Sequence, residues 1–395
     1  MNLASPYRQL TALALGVLLA ALVISVPLSA QTPLGLDNPE PAATVEAVSG
    51  TVESYAPGVQ RRALSQGDLL FPGDSIALGA DGSALLRLND QSTAQLYEDT
   101  VLAINDILPE EPGDASFSLF TGTMVVDAGD LRGQDLVITP TLTVGIRGTR
   151  FSVVVAEDGA SVVIVEEGEV AASSAAGDEA EACVAPGQEV VATESAANLA
   201  PREASMISAQ DWRDFRQARQ EALLAAPDQA AADLEHEIDT RLEQLATLEA
   251  RPMDRAEMLA KLQSELENLG PDQEDQRSQI ILQAHMETAR ALGLVREFRA
   301  ERMRLEAVFI QAERLAVLLD SSSADNNEQR QAAENSLVRI QGRQAQVQEH
   351  VAAIAQRFEE SVSPLRRHFI DFEELRGQGC ARGETTIQGR ESQAQ

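Results

Sequence analysis

The sequence predicts a multidomain chain. An all-β domain, either a sandwich or a small solenoid-like prism, is followed by an α-helical region with a long antiparallel, coiled-coil-like hairpin. Three observations carry this. Short β-branched and aliphatic runs bounded by Gly, Asp and Asn fill residues 44–196. Beyond Asn198 the apolar period changes from two to three and four. With 395 residues the chain is also too long for one ordinary domain.

The first 30 residues read as an export signal. Arg8 precedes an apolar run from Leu10 to Val26, and Pro27, Ser29 and Ala30 lead to polar Gln31, with cleavage expected near Ala30. The run is long for a signal, so an uncleaved anchor is the alternative, since roughly 17 apolar residues can span a bilayer. Either reading places the rest of the chain in the periplasm or cell envelope, attached to the membrane only through this segment if it is retained. Residues 31–43, with Pro33, Pro39 and Pro41, read as a linker.

Within the β domain the expected strands are Val45 to Val52, Ser75 to Leu78, Ala84 to Leu88, Thr93 to Tyr97 and Val101 to Ile104. Ser116 to Val126, Leu136 to Val144, Phe151 to Val155, Val162 to Val165 and Val184 to Val191 continue the series. Asp81-Gly82, Asn89-Asp90, Asp158-Gly159 and Pro186-Gly187 supply the turns.

In the helical region, 203–375, Ser208 and Asp211 have the spacing of a capping box, and Trp212 and Phe215 could pack that helix on the β domain. Leu234, Ile238, Leu242, Leu245 and Leu248 make an amphipathic stripe that Pro252 is expected to stop. Met258, Leu262, Leu266 and Leu269 form the next, ended by Gly270-Pro271. Two long runs follow, about 272–319 and 328–362, around a polar turn at 320–327. They predict a hairpin on the order of 50–70 Å long at about 1.5 Å per residue. Pro364 should break the second run, leaving a flexible tail at 376–395.

Composition excludes some functions. A net charge of −31 disfavours nucleic acid and anionic lipid, both of which need clustered basic residues. Aromatic residues make up only 4% of the chain, which suits long helices better than an aromatic-lined pocket. His236, His285, His350 and His368 have no metal-ligand spacing, and no nucleophile elbow, phosphate loop or zinc-protease motif occurs. Asp127-Ala128-Gly129-Asp130 lacks the alternating ligands of a calcium loop. The reading is non-enzymatic, with no cofactor. In an oxidising compartment Cys183 and Cys380 are a candidate disulfide, the alternative being two separate thiols.

One stretch is more specific. Thr139-Pro140 leads to Val144-Gly145-Ile146-Arg147-Gly148-Thr149 and Phe151. It lies between an early Gly73-Asp74 turn and two later blocks, Glu167-Gly168-x-Val170 and Pro186-Gly187-Gln188. In this order the blocks resemble the FecR family of bacterial envelope sensors, over roughly residues 44–192. Gly145 and Gly148 are expected where backbone is left-handed or closely approached. Arg147 is read either as a brace for the turn or as a partner contact. Pro140, Thr149, Phe151, Glu167, Gly168 and Gly187 complete the motif set. The resemblance implies binding of an envelope protein or glycan and a part in envelope signalling. Only about nine residues precede the apolar run, too few for the family's cytoplasmic sigma-factor-binding segment. A structural envelope scaffold, self-associating through the helices, is the alternative.

Overall fold

The computed structural model describes residues 41–55, 61–88, 92–104, 116–128, 135–146, 149–174, 181–193, 199–269, 273–322 and 327–391. The export segment, most of the linker, Arg147 and Gly148 lie outside these residues, as do the side chains beyond Val362. No helix among the described residues is long and apolar enough to cross a membrane. The chain divides into two compact units. One comprises Met1–Ile238 with Met303–Ala345, the other Asp239–Arg302 with Gln346–Gln395.

The first unit holds all the strands. They are β1 (Ala43–Ser49), β2 (Val52–Tyr55), β3 (Arg62–Ala63), β4 (Leu69–Leu70), β5 (Ser75–Leu78) and β6 (Ser83–Leu88). Then come β7 (Thr93–Leu96), β8 (Val101–Ile104), β9 (Ser116–Asp127), β10 (Asp135–Ile138), β11 (Leu142–Ile146) and β12 (Arg150–Val155). Last are β13 (Ser161–Glu167), β14 (Val170–Ser174), β15 (Glu181–Val184), β16 (Gln188–Ala192) and β17 (Arg202–Glu203).

Pairing separates them into two layers. One sheet runs β4-β1-β6-β7-β9-β12-β13-β16-β17. The other runs β3-β2-β5-β8-β9-β10-β11-β14-β15, and only its β9–β10 pair is parallel. Strand β9 belongs to both. Its first half pairs with β8 and β10, its second half with β7 and β12. The bend falls at Gly122, where φ is +101° and a Cβ would lie 2.2 Å from Thr100 Oγ1. The inner faces share one core, with Phe151, Val153, Val163 and Val165 from the first sheet and Leu102, Ile104, Leu142 and Val144 from the second.

Three runs expected as single strands are each two. Gly50, at φ +68°, turns β1 out of the first sheet and β2 into the second. Thr139-Pro140-Thr141 separates β10 from β11, and Pro186-Gly187 separates β15 from β16. Apolar residues flanking a tight corner look continuous in sequence, because the corner itself takes only two or three residues.

The helices are α1 (Ala209–Ala225), α2 (Pro227–Glu267), α3 (Glu274–Ser321) and α4 (Asn327–Glu391). Ser208 opens α1 with the expected capping box, its hydroxyl accepting from Asp211 N–H while Asp211 reaches back to the Ser208 N–H at 2.8 Å. Trp212 packs with Val154, Val162 and Ile164 on the outer face of the first sheet, and its ring N–H donates to Met206 O at 3.1 Å.

Two expected helix breaks are absent. Pro252 lies buried inside α2. A proline there lacks one backbone donor but does not forbid a helix whose flanking turns are held by packing. Leu248 and Leu259 on either side are buried. Likewise α4 passes through Pro364 and the segment expected to be loose, reaching Glu391. The long runs also differ from a simple pair. In the first unit Leu315 and Leu319 of α3 cluster with Ala333 of α4 and Ala231 of α2. In the second, Leu259, Leu262 and Leu266 of α2 pack with Ala284 of α3, while Phe298 of α3 stacks on Phe358 of α4 at 4.0 Å. Thus α2 takes part in both units as a third helix.

Candidate interaction site

The Thr-Pro-Thr turn is built from hydroxyls. Thr139 Oγ1 accepts from the N–H of Leu142 at 2.8 Å and from the Ser161 hydroxyl at 2.9 Å. Thr141 Oγ1 lies 2.8 Å from Ser161 Oγ and 3.2 Å from Gly159 O. All three side chains are buried. Pro140 can occupy the turn because this network satisfies neighbouring backbone groups without its missing N–H. The turn therefore ties the β10–β11 corner to the start of β13.

The other motif residues divide by burial. Phe151 is fully buried in the core. Thr149 is buried, and its carbonyl accepts from Ala128 N–H at 2.9 Å. Gly145 does not have the role expected of it. Its φ is not positive, and an added Cβ would meet only Ala171, at 3.7–3.8 Å in ordinary contact. Glu167, Gly168 and Gly187 are exposed, with φ +79° at Gly168 and +76° at Gly187. Gly187 N–H donates to Val165 O at 2.9 Å, so the second and third motif blocks meet at one exposed corner. Exposed Glu166 on this corner pairs with Arg150 at 2.9 Å. Cys183 on β15 is exposed, and a hydrogen bond to Glu169 raises the pKa of its thiol.

Helices cover both outer faces of the sandwich. Along α1, Arg213, Arg216 and Arg219 recur every three residues and meet two acidic turns. Arg213 donates to Glu98 at 2.9 Å, buried Arg216 to buried Glu157 at 2.5 Å, and Arg219 to Asp158 at 2.6 Å. Arg216 also donates to Glu98 O at 3.3 Å. Partial burial opposes ionisation of Glu98, but a backbone hydrogen bond and the guanidinium groups of Arg213 and Arg216 outweigh it and hold the carboxyl low. These arginines sit on a helix face that reads as ordinary solvated charge, so sequence reasoning missed them. The facing Glu98-Asp99 and Glu157-Asp158 pairs were their only signal.

On the second sheet α3 lies over the outward-facing side chains. Arg304 donates to Thr143 Oγ1 at 2.9 Å. Gln311 fills the space over Gly159, where a Cβ would come 2.4 Å from Nε2. Arg314 reaches Asp99 at 3.9 Å. Near these contacts Arg61 stands over the Tyr55 ring at 4.6 Å and pairs with Glu53 at 3.2 Å. Burial, with a contribution from Glu306, pushes the Tyr55 hydroxyl up to about 12. Burial likewise pushes Glu313 up to about 7, which Arg314 and Arg61 only partly offset.

Among the described residues no group of three or more His, Cys, Asp or Glu could hold a metal ion. The motif thus belongs to a two-sheet β module whose marked residues are mainly corners and core. Residues 74–171 match the family model described as FecR protein, and this segment, from Asp74 to Ala171, is FecR-like. No curated protein matches the chain. Two crystal structures of a protein assigned as an anti-sigma factor from Parabacteroides distasonis ATCC 8503, at 1.65 and 2.50 Å resolution, are similar at 17% identity and a TM-score of 0.29. Each match covers 33% of this chain and 59% of the other, less than two thirds of its length.

Proposed function

We propose that this chain is an exported, non-enzymatic FecR-domain protein that binds an envelope protein or glycan in envelope sensing. The observation that carries this is the FecR match over residues 74–171, on a module whose motif residues build turns rather than a reactive centre. Among the described residues of the motif, Glu167, Gly168 and Gly187 form an exposed corner that a partner could reach. Arg147 and Gly148, outside the described residues, remain assigned to the same motif, and pairing of Cys183 with Cys380 remains a proposal. The helical region, including any coiled-coil association between copies, would space the module or hold a second partner. In-cell crosslinking followed by identification of the captured species tests this. A membrane signalling protein or an outer-membrane receptor supports sensing.

A specific observation favours the second reading, a structural envelope scaffold. Both outer faces of the sandwich are occupied by the chain's own helices, through Trp212 on one side and Arg304 on the other. Capture of the protein's own copies and wall material alone would select that reading.

A further inference from the structure

The seat of α3 on the second sheet brings several carboxylates and guanidinium groups together. From β2 come Tyr55 and Glu53, and from the residues before β3 comes Arg61; α3 contributes Glu306, Glu313 and Arg314. Arg61 is engaged by Glu53, and Arg314 leans toward Asp99. Glu306 and Glu313 are seven residues apart, two turns of helix, so they lie on one face. Glu313 Oε1 is buried without a hydrogen-bond partner. Placing a charged carboxylate there is costly, whereas a neutral carboxyl is tolerated.

We infer that Glu313 is a proton-sensitive latch: α3 is seated on the β domain when the Glu313 carboxyl is neutral and loosens when it ionises. The sign follows from linkage. A carboxyl whose pKa is higher in the folded chain binds its proton more tightly there, so folding is favoured at acid pH. That advantage is lost as pH rises from the ordinary value of 4.5 through about 7, and is flat above. The carboxylates with lowered pKa, such as Glu98 and Glu189, give the opposite slope at lower pH. The arrangement therefore responds near neutrality, in a chain read as exported, and it does not depend on which partner the β module binds.

Full-length wild type and Glu313→Gln, which copies the neutral carboxyl in shape, are compared by chemical denaturation between about pH 5 and pH 8.5. They should differ least at the acid end. At the alkaline end Gln should be the more stable, by at least about tenfold in the folding constant, the equivalent of one pKa unit. Hydrogen exchange over residues 303–315, wild type against variant at each pH, should show extra opening in wild type only above neutrality. Parallel stability curves, or a variant weaker than wild type at pH 8.5, would overturn the latch. Opening spread over the whole chain would overturn the local seating of α3.

Discussion

At the scale of single residues, buried charge and positive φ set the strongest constraints. Arg216 and Glu157 are both buried, and their 2.5 Å contact joins α1 to the β12–β13 turn. Removing one partner strands the other charge, so Arg216→Met should destabilise the chain by about 3–5 kcal/mol. Arg216→Met combined with Glu157→Leu should recover most of that loss in equilibrium denaturation, because an apolar pair of similar volume replaces a desolvated ion pair. A double variant no better than the single would show that the pair matters through its other contacts, such as Arg216 with Glu98 O. Gly50 offers a sterically cleaner case. Its φ is +68° and a Cβ would stand 2.0 Å from Asp81 O. Gly50→Ala should therefore cost more than the roughly 1 kcal/mol of an ordinary glycine replacement, measured in the same way. Neither residue was legible beforehand as special. Gly50 lies inside a run, Val45 to Val52, that reads as one strand, and Arg216 is one arginine among several on a polar helix. Phe151 and Pro140 were marked by the FecR-like motif, but the corner at Pro140 was not legible, because Leu136 to Val144 reads as one strand.

At the scale of elements, periodicity was read well and interruption badly. The capping box at Ser208 formed as its spacing required, since it depends on only four consecutive residues. Ser208→Ala should cost about 1 kcal/mol and fray the first turn of α1, visible as faster exchange at residues 209–212. Wild-type exchange in the variant would mean that Trp212 alone fixes the helix start. Pro252 shows the opposite lesson. A local rule says stop, yet α2 runs on, because Leu245, Leu248, Leu259 and Leu262 are buried on both sides of it. Tertiary burial of that many leucines outweighs one missing hydrogen bond, and none of it is visible in a window of a few residues. Paired strands suffered similarly. A corner of three residues between β10 and β11 was hidden inside one apolar run, and its purpose emerged only once Ser161 was found against Thr139 and Thr141.

At the scale of the whole molecule, the all-β and all-α halves were legible as compositions but not as partners. Read alone, residues 203–375 look like an independent helical body. In the first unit, however, α1 and the end of α3 complete the β domain. Trp212 covers Val154, Val162 and Ile164, and Arg304 and Gln311 sit against β11 and the Gly159 turn. Leu305, Val308, Phe309 and Ile310 are all buried, along with Arg304 and Gln311, so this stretch of α3 is covered by neighbours on most sides. Residues 44–196 expressed alone should therefore expose the outer faces of both sheets, bind a hydrophobic dye and associate at low micromolar concentration, whereas the full chain should not. Residues 41–345, which add both covering helices, should suppress the dye signal. If 44–196 alone is monomeric and dye-silent, the helices are ornaments on a finished β module. The outer faces would then be free to meet a partner, and sensing would gain over scaffolding.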